Sequence, residues 1–222
     1  MRESIVVVSY QFCPRGRIGT RRWSKFVKYL SKDYDVHVIC AEYPFVDQVN
    51  WCHDVEGNPH IHIHRTKTIY PSYCIKENRT FWVKMSSRIL SVFPFYMDEA
   101  QYWKKLLHKK LDVVLSQENI KTIIVSGAPF TPLHHVVEYK KKNSHLNIIA
   151  DFRDPWTTIG YHKQLKLTAA SKAKHKSFEK QVLNIADKIL VTSFVTKKEF
   201  QNITNKPIEV ITNGYDDEAA VD

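Results

Sequence analysis

Four stretches of this 222-residue chain gather residue types that can do chemistry: "QFCPRGRIGTRRW" from Gln11, "GAPFTPLHH" from Gly127, "RDPWTTIGYH" from Arg153 and "NGYDDE" from Asn213. In the first, Gly16 and Gly19 precede a helix-period segment, with Thr20 as the expected N-cap. Glycines let backbone amides approach an anion, and a helix N-terminus attracts it. Arg15, Arg17, Arg21 and Arg22 add charge-assisted donors. The G-x-x-G spacing is neither a dinucleotide fingerprint nor a P-loop, so a solvated basic turn fits the same residues. In the second, Ser126, Pro129 and Phe130 lead to Thr131 as N-cap and Pro132 as first helical residue. Its free amides either face a ligand or are capped in the ordinary way. His134 and His135 follow in the first turn, expected on the helix surface, with ligand contact as the alternative for His134. In the third, Asp151 and Arg153 share one face of a strand end and Phe152 takes the other. Buried charges need partners, so the alternatives are cleft chemistry or a salt bridge that pins the loop.

Two other candidates carry less. His60, His62 and His64 alternate along "HIHIHR", but a flat strand spreads them too far for one tetrahedral ion, so a solvated face is expected and no metal. Cys13, Cys40, Cys52 and Cys74 form no C-x-x-C pair, which points to a reducing compartment rather than to zinc or thioredoxin-like chemistry.

The elements that must position these stretches follow from hydrophobic period. Strands are expected at 4–10, 35–40, 60–65, 121–127, 146–152, 187–193 and 208–212. Most are apolar throughout, as strands covered on both faces are. Helices are expected from Thr20 with Trp23, Phe26, Val27 and Leu30 inward, over 98–117 with Trp103, Leu107, Leu111 and Val114 inward, and over 167–186 with Phe178, Val182 and Ile185 inward. Residues 41–59 and 66–97 break the rhythm, the latter with one helix expected at about 78–92. Alternating strands and helices predict an α/β, Rossmann-like three-layer domain with a mainly parallel sheet. In such sheets ligands bind beyond the carboxyl ends of the strands, where all four loaded stretches fall.

With 43% apolar residues a sizeable core is expected. A net charge of +10 favours anionic partners. No apolar run approaches the ~20 residues of a membrane span, and the N-terminal apolar stretch is short for a signal peptide, so a cytoplasmic location is expected.

Taken together, these residues resemble the N-terminal domain of GT-B glycosyltransferases of the retaining family 4 type, in the subgroup that makes capsule and exopolysaccharide. Tyr10, Phe12, Pro14, Gly16, Gly19 and Arg22 follow the family's first loop, without its adjacent glycine pair. "SGAPFTP" follows T-S-P-P-F-S, and Asp151 to Trp156 match D-F-R-D-P-W in full. Glu179, Val182, Ala186 and Asp187, followed by Ser193, match E-x-x-V-x-x-x-A-D, and Asn213 to Asp216 match N-G-Y-D.

The resemblance implies an acceptor-side domain spanning residues 1–222. The nucleotide-sugar donor would be held mainly by a second Rossmann-like domain carrying an E-x7-E motif, which in this family begins just after "NGYD" and is therefore expected outside this chain. It implies a saccharide or lipid-linked acceptor and no cofactor. In the wider family a histidine at the "DFRD" exit touches the donor sugar. Arg153 stands there, so Arg153 and Asp154 are the expected catalytic pair, with Asp151 orienting Arg153. Gly16, Gly19, Arg22, Ser126, Pro129, Phe130, Thr131, Asp151, Trp156, Asn213 and Gly214 are the expected substrate-binding residues. Lys104, Lys105, Lys109 and Lys110 beside Tyr102 and Trp103 make a helix that suits either an anionic membrane surface or a solvated lysine face. The competing reading is a non-catalytic membrane- or partner-binding half that needs a separately encoded donor-binding subunit. A dehydrogenase is disfavoured because no acidic residue ends the second strand. Nucleic acid is not expected, since only the charge favours it.

Overall fold

The computed structural model describes residues 2–16, 18–42, 50–68, 85, 97–158 and 167–214. The helix expected at about 78–92, Cys74, Tyr215 and Asp216 lie outside the described residues apart from Met85. Seven parallel strands form one sheet: β1 (Glu3–Ser9), β2 (Tyr34–Ala41), β3 (Ile61–Thr66), β4 (Thr122–Ser126), β5 (Asn147–Asp151), β6 (Lys188–Val191) and β7 (Ile208–Val210). Among the described residues, five α-helices join them: α1 (Ile18–Leu30), α2 (Lys104–Gln117), α3 (Thr131–Lys140), α4 (Ala169–Ile185) and α5 (Phe194–Gln201), with a 3-10 helix at Asn50–Asp54. The spatial order is β3-β2-β1-β4-β5-β6-β7. The chain therefore steps outward from β1 to β3 and returns to β4 on the other side of β1. The crevice at that reversal lies beyond Ser9 and Ser126, which are register partners.

The apolar strands are apolar because both faces are covered. Val6 and Val8 pack with Leu107, Leu111, Leu133 and Val182 on one side, while Ile5 and Val7 pack with Trp23 and Val27 on the other. The expected inward faces of α2 and α4 hold, with Trp103, Leu107, Leu111, Val114 and Val182 buried. Helix starts differ from expectation. Helix α1 begins at Ile18, leaving Thr20 fully buried in its first turn rather than at the cap. Helix α2 begins at Lys104, because residues 98–103 are diverted to another task described below. Just before β3, His60 turns to Asp35 at 2.7 Å, while His62 and His64 of β3 stack on His37 of β2.

Helix α3 is buried nearly all round between α2 and α4, which puts His134 and His135 inside the fold and not on a helix surface. The His134 ring stacks on Phe178 with centroids 3.5 Å apart, and Glu138 lies 3.6 Å from its Nδ1 while also pairing with Lys104. Burial pushes His135 down to about 3 and His134 down to about 4. Above pH 6.5 these groups are neutral in both folded and unfolded chains and add no pH dependence. As pH falls below 6.5 the unfolded chain takes protons that the folded chain refuses, so stability drops until the folded values are reached. Denaturant unfolding at pH 7 and pH 5 checks this. At pH 5 each fully buried histidine should cost about 2 kcal/mol, and His135→Phe should remove roughly that share of the loss.

Candidate functional site

The carboxyl edge is organised around one buried carboxylate. Asp151, the last residue of β5, has no exposed surface. Its Oδ2 accepts from Trp23 Nε1 at 2.9 Å and from Ser126 Oγ at 3.5 Å, and its Oδ1 lies 3.5 Å from Arg22 Nη2. Burial pushes this carboxyl above its usual range, against the pull of the Arg22 and Arg153 guanidiniums. Arg22 is itself buried and reaches onward: Nη1 donates to the Thr212 carbonyl at 3.0 Å and to Asn213 Oδ1 at 2.9 Å, and Nη2 donates to the Ile211 carbonyl at 3.0 Å. The guanidinium also lies 4.5 Å from the Phe26 ring centroid. Residues from the exits of β1, β4, β5 and β7 thus meet through two side chains.

Arg153 sits just past this hub in the left-handed region, with φ of 51°. A non-glycine residue there is held by its surroundings. Its backbone oxygen accepts from Thr192 Oγ1 at 2.5 Å, Nε donates to the Gly127 carbonyl, and Nη2 donates to the Ala128 carbonyl at 3.1 Å. The left-handed turn takes Arg153 off the strand face it was expected to share with Asp151. The hydrogen bonds that orient it come from the β4 exit, and Asp151 acts on it through charge. The guanidinium passes directly over Gly19: a Cβ there would overlap Nη1 and lie 2.7 Å from Cζ. Gly19 therefore admits Arg153.

The remaining expected site residues divide by exposure. Phe130, Thr131 and Trp156 are buried, Phe130 stacks on Trp156 at 5.4 Å, and Trp156 Nε1 donates to His175 Nδ1 at 2.8 Å. Pro129 and Ser126 are buried too, Gly16, Gly19 and Arg153 are half-buried, and Asp154, Asn213 and Gly214 are exposed. Glu179 of α4 accepts from Thr157 N at 3.0 Å and from Thr157 Oγ1 at 2.5 Å, so it holds the Pro155-Trp156 turn. Asp187 accepts from Ile148 N at 2.7 Å and pairs with Lys140, and Ser193 caps α5 through Thr196 N at 3.1 Å.

The largest departure is at the start of α3. Phe130 is its N-cap, and Thr131 is its first residue. The amides there, expected either to face a ligand or to be capped in the ordinary way, are taken by a residue not singled out in the sequence. Asp98 Oδ2 accepts from Phe130 N at 2.7 Å and Thr131 N at 2.9 Å, while Oδ1 accepts from Ala100 N at 3.0 Å and from Thr131 Oγ1. Sequence reasoning assigned residues 98–103 to a helix because Trp103 continues its apolar stripe. The Asp98 contact spans 33 residues, which no local pattern reports. The Trp23 contact left one signal: a buried indole N–H needs an acceptor.

Two substitutions test this arrangement. Gly19→Ala should displace Arg153 and cost about 1–3 kcal/mol in denaturant unfolding. Asp151→Ala, which strands Arg22 in the interior, should cost about 3–5 kcal/mol.

No family model and no curated protein matches this chain. Solved structures do. Sucrose-phosphate synthase from Thermosynechococcus elongatus superposes with a TM-score of 0.64 at 11% identity, over 97% of this chain and 49% of that one. UGT2 of Phytolacca americana, complexed with UDP-2fluoro-glucose and pterostilbene, gives 0.55 at 10% identity, over 96% and 54%. UDP-GlcNAc 2-epimerase from Methanocaldococcus jannaschii gives 0.50 at 11% identity, over 96% and 46%. The chain spans about half the length of these neighbours. Among the described residues, no helix is long and apolar enough to cross a membrane. The chain has the Rossmann-like fold that makes up about half of a GT-B glycosyltransferase.

Proposed function

We propose that this chain is the acceptor-side domain of a nucleotide-sugar-dependent glycosyltransferase of the retaining family 4 type, acting in bacterial cell-surface polysaccharide synthesis on a saccharide or lipid-linked acceptor. A second Rossmann-like domain would hold most of the donor. The observation that carries this reading is the convergence of the β1, β4, β5 and β7 exits on one carboxyl edge through Asp151 and Arg22, on a fold matching half of a glycosyltransferase.

Retaining transfer needs a stabilised leaving group and an acceptor hydroxyl held close to the sugar. Arg153 supplies a cation fixed at both backbone and side chain, and Asp154 next to it is exposed. In this reading the two touch donor sugar or acceptor hydroxyl, Asn213 and Gly214 line the mouth, and the buried residues position them. Transfer from a panel of nucleotide-sugars, measured with the chain together with its donor-binding half, tests this. Arg153→Ala should lower the rate roughly 10²-fold, as misplacement of a reacting group does. An unchanged rate would remove Arg153 from the mechanism.

The reading as a non-catalytic half has its own support in apolar side chains at the carboxyl edge: Ile18 is 82% exposed and Phe194 and Val195 are 76% and 71% exposed. A membrane contact would use Lys105, Lys109 and Tyr102, all exposed, whereas Trp103 lies in the core and Lys104 pairs with Glu138. Flotation with liposomes containing anionic lipid should show salt-sensitive binding that Lys105→Glu with Lys109→Glu abolishes. Absence of binding by the unaltered chain would remove the membrane from this reading.

A further inference from the structure

Residues 97–103 form a strap across the crevice where the strand order reverses. At one end Asp98 takes the two amides at the start of α3, beyond β4. In the middle the Glu99 carbonyl accepts from Tyr10 Oη at 3.1 Å, and the Glu99 carboxylate accepts from Gln11 Nε2 at 2.5 Å, both beyond β1. At the other end Trp103 Nε1 donates to Thr66 Oγ1 at 2.6 Å, at the end of β3. Met97, Ala100 and Trp103 are buried and hold the strap down. In a doubly wound sheet this crevice takes the ligand, and the helix that starts there favours a negative group. Here the Asp98 carboxylate occupies that place, accepting from the Phe130 and Thr131 amides and the Thr131 hydroxyl, with the Glu99 carboxylate next to it in the strap.

We infer that Asp98 is a specificity-determining residue: as a tethered carboxylate at the start of α3 it fills the position an anionic group would take, so this part of the β1–β4 crevice rejects phosphorylated groups. A second negative charge at this position would lose the Phe130 and Thr131 amides to Asp98 and meet Glu99 beside it. The consequence for acceptor choice rests on the glycosyltransferase reading, whereas the exclusion of anions does not.

The experiment is a titration of the 15N-labelled chain with inorganic phosphate, followed at the Phe130 and Thr131 amides, with sodium chloride matching ionic strength. In the unaltered chain these signals should stay where chloride leaves them. In Asp98→Ala and in Asp98→Asn, which keeps the shape and removes the charge, they should move saturably, with phosphate bound roughly tenfold or more tightly than by the unaltered chain. Saturable movement in the unaltered chain would overturn the inference, as would folded neutral variants that bind phosphate no better. If neither variant folds, saturable movement in the unaltered chain still overturns the inference. Phosphate carries no sugar, so failure here leaves the transferase reading standing, and failure of sugar transfer leaves this result standing.

Discussion

A carboxylate without solvent is the constraint on which the carboxyl edge depends. Moving the charge of Asp151 out of water costs several kcal/mol unless donors replace the water. Those donors come from α1 and the β4 exit, through Trp23, Arg22 and Ser126. Arg22 in turn needs acceptors for its remaining Nη hydrogens and finds them in residues 211–213, while its buried Nε has none. Loops far apart in sequence therefore cannot be placed independently. Shifting any one of them leaves a buried charge or a buried donor unmet.

Around that hub, the residues that resemble a family motif serve mostly to hold backbone. Glu179 ties down Thr157, Asp187 takes the Ile148 amide of β5, and Ser193 caps α5. Phe130 and Trp156 stack inside the core. Among the described residues of the expected site, this support leaves exposed Asp154, Asn213 and Gly214, and half-buried Arg153, Gly16 and Gly19. Arg153 is the point where support and chemistry meet. Its turn is left-handed, its guanidinium is anchored by carbonyls of the β4 exit, and Gly19 leaves the room it needs.

The sheet was legible because parallel strands covered on both faces read as unbroken apolar runs, and because helical stripes such as Leu107, Leu111 and Val114 repeat at the right spacing. Helix starts were less legible. The pattern places Thr131 at a cap because Thr-Pro is a good local start, yet a carboxylate 33 residues earlier takes the amides and moves the cap to Phe130. Likewise His134 and His135 read as surface residues until α4 lays Phe178 over one of them. In each case a distant side chain overrides the local pattern, which at the α3 cap is worth about 1 kcal/mol.

The sequence by itself determined the α/β class, the strands, and the four stretches at the strand exits. These follow from side-chain period and from residue type, which are local. Only the tertiary structure decided which charges are partners. Asp151 belongs to Trp23 and Arg22, Arg153 to the carbonyls of Gly127 and Ala128, and Asp98 to the start of α3. A hydrogen bond acts over about 3 Å and carries no trace along the chain. Its partner is fixed when the sheet brings the exits together.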